Sequence, residues 1–226
     1  MSTYNDGYYE KLVDSWSEIS YPLISPEVVK ILDKYTPANI LDYGAGAGVY
    51  ADVLSCRGAH VAACDISMQS VDKCNECKKY DEVFLLQQHE SLAPDRYDMI
   101  FSSEVLEHVE NCGNTVADWF AALKPGGVVF MTTTMYAPSV FTMFYEAKKG
   151  NSHPLSMLKE ACLWLKGFWS SKTRMHFIRR WCYEPLGGHY HGFVAAELRQ
   201  IFKKNGFTGV ATNFANRLVS LRTISC

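Results

Sequence analysis

The sequence contains no apolar run that approaches the length needed to cross a bilayer. Nor does its start combine a charged segment, an apolar run and a small-residue cleavage site, so a cytoplasmic protein is expected. Excess basic charge is missing as well. The 226 residues carry a net charge of −2 at pH 7, which leaves no overall electrostatic footprint for DNA or other nucleic acid. Paired cysteine motifs are scarce: of eight cysteines only Cys74 and Cys77 form a close pair, and without a second pair a zinc site is not expected. Their spread through predicted strands and helices suits reduced thiols used as small apolar residues. What is present is ordinary for a globular domain, with 48% hydrophobic and 20% charged residues in a chain long enough to bury a substantial core.

The organising stretch is residues 39–50. Apolar Ile40 and Leu41 run into Asp42, after which Gly44, Gly46 and Gly48 alternate, and a helical pattern follows over 51–54. A strand, a tight glycine turn and a helix start are what a cofactor-holding loop needs. The turn uses backbone angles that a Cβ forbids, and bare backbone lets a ligand approach the amides that open the helix. A second apolar run, residues 60–64, ends in Asp65 roughly 20 residues further on, where a carboxylate can accept from ribose hydroxyls. A nicotinamide dinucleotide is disfavoured, because its fingerprint places the third glycine where Val49 stands.

The pattern Asp42-x-Gly44-x-Gly46-x-Gly48 resembles motif I of the class I S-adenosylmethionine (SAM)-dependent methyltransferases. Two later segments agree. Residues 104–109, leaving a strand over 97–103, resemble the motif after strand four in small-molecule methyltransferases, especially those related to the ubiquinone-pathway O-methyltransferases. Residues 123–130 resemble the helix-turn-strand element before strand five, so the match covers about residues 38–134.

The resemblance implies a doubly wound, Rossmann-like α/β fold with a seven-stranded, mostly parallel sheet whose last strand is antiparallel. It implies a single domain over 1–226, with an N-terminal cap at 1–24 and a helical insert or lid at about 135–188. It also implies SAM as cofactor, held by Asp42, Gly44, Gly46, Gly48, Asp65 and Ser103, and methyl transfer to a small-molecule acceptor, with oxygen favoured. Gln88 stands where many relatives carry an Asp that accepts from the adenine amino group, and its amide oxygen can accept the same bond. A non-catalytic SAM-binding protein of the same fold is the alternative.

Local signals fill in the remainder. Ser25 and Pro26 predict a helix start, with Val28, Val29, Ile31 and Leu32 as its buried face. Ser67 predicts a cap for a helix reaching Lys79, and residues 83–86 a short buried strand. Gly206 predicts the stop of a late helix whose start, at Val194, lacks a capping hydroxyl. The apolar runs over 207–212 and 218–224 are too close for a parallel crossover and predict an antiparallel hairpin.

Methyl transfer from a sulfonium needs in-line alignment more than a covalent partner from the protein. Where the acceptor is a weakly acidic hydroxyl a base is needed, and His108 and His189 are the candidates, each equally suited to a structural role. Glu104, Glu107 and His108 fall on one helical face if the helix starts promptly. The same arrangement binds magnesium in methyltransferases acting on the 3′-terminal 2′-hydroxyl of small RNAs. Many relatives share it with no metal and the glutamates also serve as helix-start charges, so a divalent ion is not favoured. Residues 148–180 hold eight Lys or Arg against Glu160, giving +7 where the rest of the chain carries −9. Within them Leu155, Leu158, Cys162, Leu165 and Trp169 recur at helical spacing. That stripe predicts either a lid packed on the domain or a basic, aromatic helix that meets a membrane surface or a hydrophobic or anionic acceptor.

Overall fold

The computed structural model describes residues 21–87, 91–133, 161–162, 165–173, 190–212 and 218–222. Gln88, His189, the aromatic segment before Tyr21 and most of the insert lie outside them. The elements in chain order are α1 (Tyr21–Tyr35), β1 (Asn39–Tyr43), α2 (Ala51–Ser55), β2 (His60–Asp65), α3 (Met68–Cys77), β3 (Glu82–Leu85) and β4 (Tyr97–Ser103). A 3-10 turn (Leu106–His108), α4 (Cys112–Ala122), β5 (Leu123–Thr132), α5 (Ala195–Lys204), β6 (Ala211–Thr212) and β7 (Leu218–Arg222) follow.

Five strands pair in parallel in the order β3-β2-β1-β4-β5. Chain order runs outward from β1 to β3 and then returns to place β4 on the other side of β1. The order therefore reverses between β1 and β4, and in open α/β sheets ligands bind beyond the carboxyl ends of the strands at such a switch point. Beyond β5, residues 218–222 pair antiparallel with residues 128–132, and 211–212 pair antiparallel with 219–220.

Alternation along the strands builds a core on each face, since successive side chains of a strand point to opposite sides. Ile40, Met99, Phe101, Val128 and Phe130 face Val28 and Leu32 of α1 and Val53 and Leu54 of α2. Leu41, Ile100, Val129 and Met131 face Val116 and Trp119 of α4 and Leu198 and Phe202 of α5. Helices cover both faces, so the central strands read as nearly continuous apolar runs.

Three local expectations need correction. The strand expected to be buried over 83–86 spans Glu82–Leu85 and is only half-buried, with Leu85 37% exposed, because β3 is the sheet's edge strand with one neighbour. α1 runs through Pro26 instead of starting there, which a helix can do at the cost of one backbone hydrogen bond because proline's φ is itself helical. α3 stops short of Lys79 because Lys78 turns left-handed, φ +53°. The cap signals otherwise agree: Ser67 Oγ accepts from Ser70 N, and α5 starts after Val194 with no side-chain cap.

Candidate active site

The glycine loop leaves β1 at the switch point and is tied to β2 by Gly44 N and Ala45 N, which donate to Cys64 O at 2.8 and 3.1 Å. Gly44 has φ +73°, and a Cβ there would lie 2.4 Å from Cγ2 of Val105, the residue that follows Glu104 beyond β4. Glycine at this position lets the two strand exits flanking the crevice meet. Gly46 has φ +56° and, among the described residues, nothing within 4 Å of a Cβ built on it, so they leave the space over this backbone open.

Asp65 reaches under that open position. Gly46 N donates to its Oδ2 at 2.9 Å and Ser67 N to its Oδ1 at 2.9 Å, so the acid at the end of β2 and the loop after β1 form one unit. Burial raises the Asp65 pKa above the ordinary carboxyl value, and the amides of Ser67 and Gly46 pull in the opposite direction. Directly after it, Ile66 is 57% and Met68 59% exposed, an apolar shelf at the sheet's carboxyl edge. The signal that could have found this shelf is an apolar residue directly after a strand-ending acid.

Asp42 lies deeper. It is buried beneath the loop, where Tyr80 Oη donates to its Oδ2 at 2.6 Å. Burial lifts its pKa to about 7; the Tyr80 bond lowers it and the charge of Asp65 raises it further. Tyr80 stands 38 residues from Asp42 in the chain, and no spacing rule points to it.

Across the switch point, Ser103 Oγ shares a 3.0 Å hydrogen bond with Thr132 Oγ1, and Tyr50 hydrogen-bonds with Ser103. Glu104 N donates to Thr132 O at 3.0 Å, and Glu104 takes a left-handed conformation, φ +54°. A non-glycine residue held there stores strain of the kind that clusters at functional sites.

The expected helical face of Glu104, Glu107 and His108 does not form. The 3-10 turn covers only Leu106–His108, and Glu104 precedes it in its left-handed conformation. Glu107 turns inward instead and is fully buried, accepting from Thr133 Oγ1 at 2.7 Å. Its backbone carbonyl accepts from Tyr190 N at 2.8 Å and His191 N at 3.2 Å. Among the described residues no group of three His, Cys, Asp or Glu is placed to hold a metal ion. His108 is half-buried at the β4 exit, and His191, on the segment that follows His189, stacks on Phe193 while its Nε2 lies 3.1 Å from Glu110 O.

The residues present fit an adenosyl cofactor: an open backbone cradle at Gly46, a carboxylate at the neighbouring strand end and an apolar shelf beside it.

Comparison with known proteins agrees with this geometry. A family model described as "Methyltransferase domain" matches residues 16–212. The ubiquinone biosynthesis O-methyltransferase of Azotobacter vinelandii is 31% identical over 172 residues, covering 67% of this chain and 71% of that protein. Its counterpart in Aeromonas salmonicida is 30% identical over 111 residues, 46% of this chain, and the match spans about half of that protein's length, 47%. Among solved structures, human N-acetylserotonin methyltransferase in complex with SAM superposes with a TM-score of 0.65 at 14% identity, covering 98% of this chain and 57% of that one.

Proposed function

The chain belongs to the methyltransferase-domain family, and from that premise we propose that it transfers the methyl group of SAM to a small-molecule acceptor, at oxygen in preference to nitrogen. The observation that carries this reading is the junction of Gly46 with Asp65 at the switch point, where an open loop backbone is joined to a buried strand-end acid.

Bound SAM supplies a methyl group already activated on a sulfonium. The chain's own task is to bind, to orient and to take up a proton. Asp65, oriented at the end of β2 by the amides of Gly46 and Ser67, takes the ribose hydroxyls. Ile66 and Met68 offer adenine an apolar surface, and Gln88 accepts from its amino group. Asp42 puts negative charge beneath the methionine end, where Gly44, Gly46 and Gly48 keep the backbone bare and Ser103 closes the floor. His108 and His189 are assigned the acceptor's proton, since a base at the crevice rim removes it as the oxygen is methylated.

The acceptor enters over the carboxyl ends of β4 and β5, beneath a lid formed by the insert at 135–188, with residues 1–24 as a cap. The helical residues 165–167 and the turn after them support a hydrophobic or anionic acceptor, because exposed Leu165, Phe168 and Trp169 lie beside exposed Lys166 and Lys172. The same patch supports peripheral membrane contact through 148–180. A seven-stranded sheet closed by a reversed last strand belongs to this reading and is supported by the register of 218–222 on β5. A cytoplasmic location goes with it, and no helix of the described residues is long and apolar enough to cross a membrane.

Isothermal titration with SAM, S-adenosylhomocysteine and NAD, followed by turnover on a panel of phenolic and catechol acceptors, tests the proposal. SAM should bind, and Asp65→Ala should weaken it by about 1–3 kcal/mol, the cost of leaving a polar partner unpaired. Unchanged affinity in that variant removes Asp65 from the ribose. Tight SAM binding without turnover on any acceptor returns the chain to the non-catalytic alternative.

A further inference from the structure

Tyr80 follows α3 on the way to β3 and belongs to none of the motifs. Its hydroxyl reaches the buried acid of the glycine loop, and its ring reaches the loop itself: a Cβ on Gly48 would lie 3.2 Å from Tyr80 Cε2 and 3.6 Å from the sulfurs of Cys74 and Cys77. The ring also packs against the clusters that contain Tyr50 and Val53 on one side and Ala45, Ala63 and Cys74 on the other. One side chain thus supports the loop's backbone and supplies its acid with a donor.

We propose that Tyr80 is a positioning residue for cofactor binding, holding Asp42 in the charged form that the cationic methionine end of SAM requires. This rests on the reading that SAM binds over the glycine loop.

The groups around Asp42 show why a donor is needed. From β2 come the Asp65 carboxylate, which repels a second negative charge, and the Cys64 thiol, pushed up by burial. From α3 comes the Cys74 thiol, likewise pushed up by burial, and from the start of α2 comes Tyr50, whose hydroxyl is engaged with Ser103 and which also feels the charge of Glu104. Among the described residues Tyr80 is the side chain that donates to Asp42. A hydrogen bond to the ionised form favours that form, whereas burial and a like charge disfavour it. With Asp42 balanced near pH 7, removing the donor leaves most of the acid protonated at neutral pH, and the cofactor must then expel a proton to bind.

SAM titrations of the full chain at pH 6.5 and 8.5, with wild type and Tyr80→Phe, separate this role from simple packing, because phenylalanine keeps the ring. A lost bond to a charged group moves the acid's titration up by roughly one pH unit. Tyr80→Phe should therefore bind SAM about ten-fold more weakly at pH 6.5 and within about two-fold of wild type at pH 8.5. The ammonium of SAM itself titrates in both proteins and cancels from the ratio. An equal loss at both pH values, or no loss at either, overturns the proposal.

If Tyr80→Phe fails to fold, Asp42→Asn takes its place. The ratio of wild-type to variant affinity should then rise several-fold from pH 6.5 to 8.5, and a flat ratio overturns the proposal. A wild-type chain that binds no SAM at either pH defeats the cofactor assignment instead, so the two failures are distinguishable.

Discussion

A carboxyl group buried under a loop ties stability to pH in a direction opposite to that of an ordinary salt-bridged acid. The folded-state pKa of Asp42 is raised from 3.8 to about 7, chiefly by burial. Between those values the folded chain holds a proton that the unfolded chain has released, so the contribution of Asp42 to stability falls as pH rises through that window. Asp65, raised mainly by burial, adds in the same sense. Asp98 opposes them: burial raises it, but Lys124 and Asn39 more than offset this and leave it below its ordinary value, so its contribution is lost only under acid conditions. Asp42→Asn keeps the shape and an acceptor for Tyr80 while removing the charge. In the absence of cofactor it should be more stable than wild type at pH 7.5, by about 1–4 kcal/mol, and close to wild type at pH 4.5. Urea denaturation at the two pH values checks this, and parallel profiles for the two proteins would show that another group is responsible.

Among the elements, the glycine loop separates into a position that the fold needs and one that the ligand needs. Gly44→Ala combines a left-handed backbone with a Cβ 2.4 Å from Val105, so strain and overpacking together should cost about 2–4 kcal/mol of stability. Gly46→Ala meets nothing within 4 Å among the described residues and should cost only the left-handed penalty, about 1–2 kcal/mol, while its methyl group occupies the open space over the backbone. Thermal melts beside SAM titrations should therefore show Gly44→Ala losing the fold first and Gly46→Ala losing the ligand first. A reversed order would mean that the cofactor does not lie over Gly46. The loop, its Asp65 and the five parallel strands were legible in the sequence because each is a local signal, whether glycine spacing, a strand-end acid or an apolar run. The exit of β4 was not. Its helical face depended on a prompt helix start, and the chain instead turns left-handed at Glu104, held by Thr132, while Thr133 draws Glu107 into the core. Those partners come from the end of β5 and the residue after it, and the donor to Asp42 comes from 38 residues away, distances over which periodicity carries no information.

At the scale of the molecule, charge is unevenly placed: residues 148–180 hold +7 and the remainder −9. The described part of that segment is helical at residues 161–162, 165–167 and 171–173, and the described members of its apolar stripe, Cys162, Leu165 and Trp169, are exposed, Leu165 by 48% and Trp169 by 82%. Basic charge beside exposed aromatic residues favours contact with an anionic surface, each Lys or Arg being worth about 1 kcal/mol there and less as salt screens it. Replacing Lys159, Lys166, Arg179 and Arg180 with Gln should reduce co-sedimentation with vesicles of phosphatidylglycerol and phosphatidylcholine, most clearly at low ionic strength. SAM affinity should not change, because the glycine loop and Asp65 are built from β1 and β2 and draw on none of these residues. If the unaltered chain ignores anionic vesicles even at low salt, membrane contact is excluded and the stripe is left to the acceptor. Deleting residues 154–169 should in that case raise the acceptor KM or abolish turnover while SAM still binds, which places the insert over the acceptor half of the crevice.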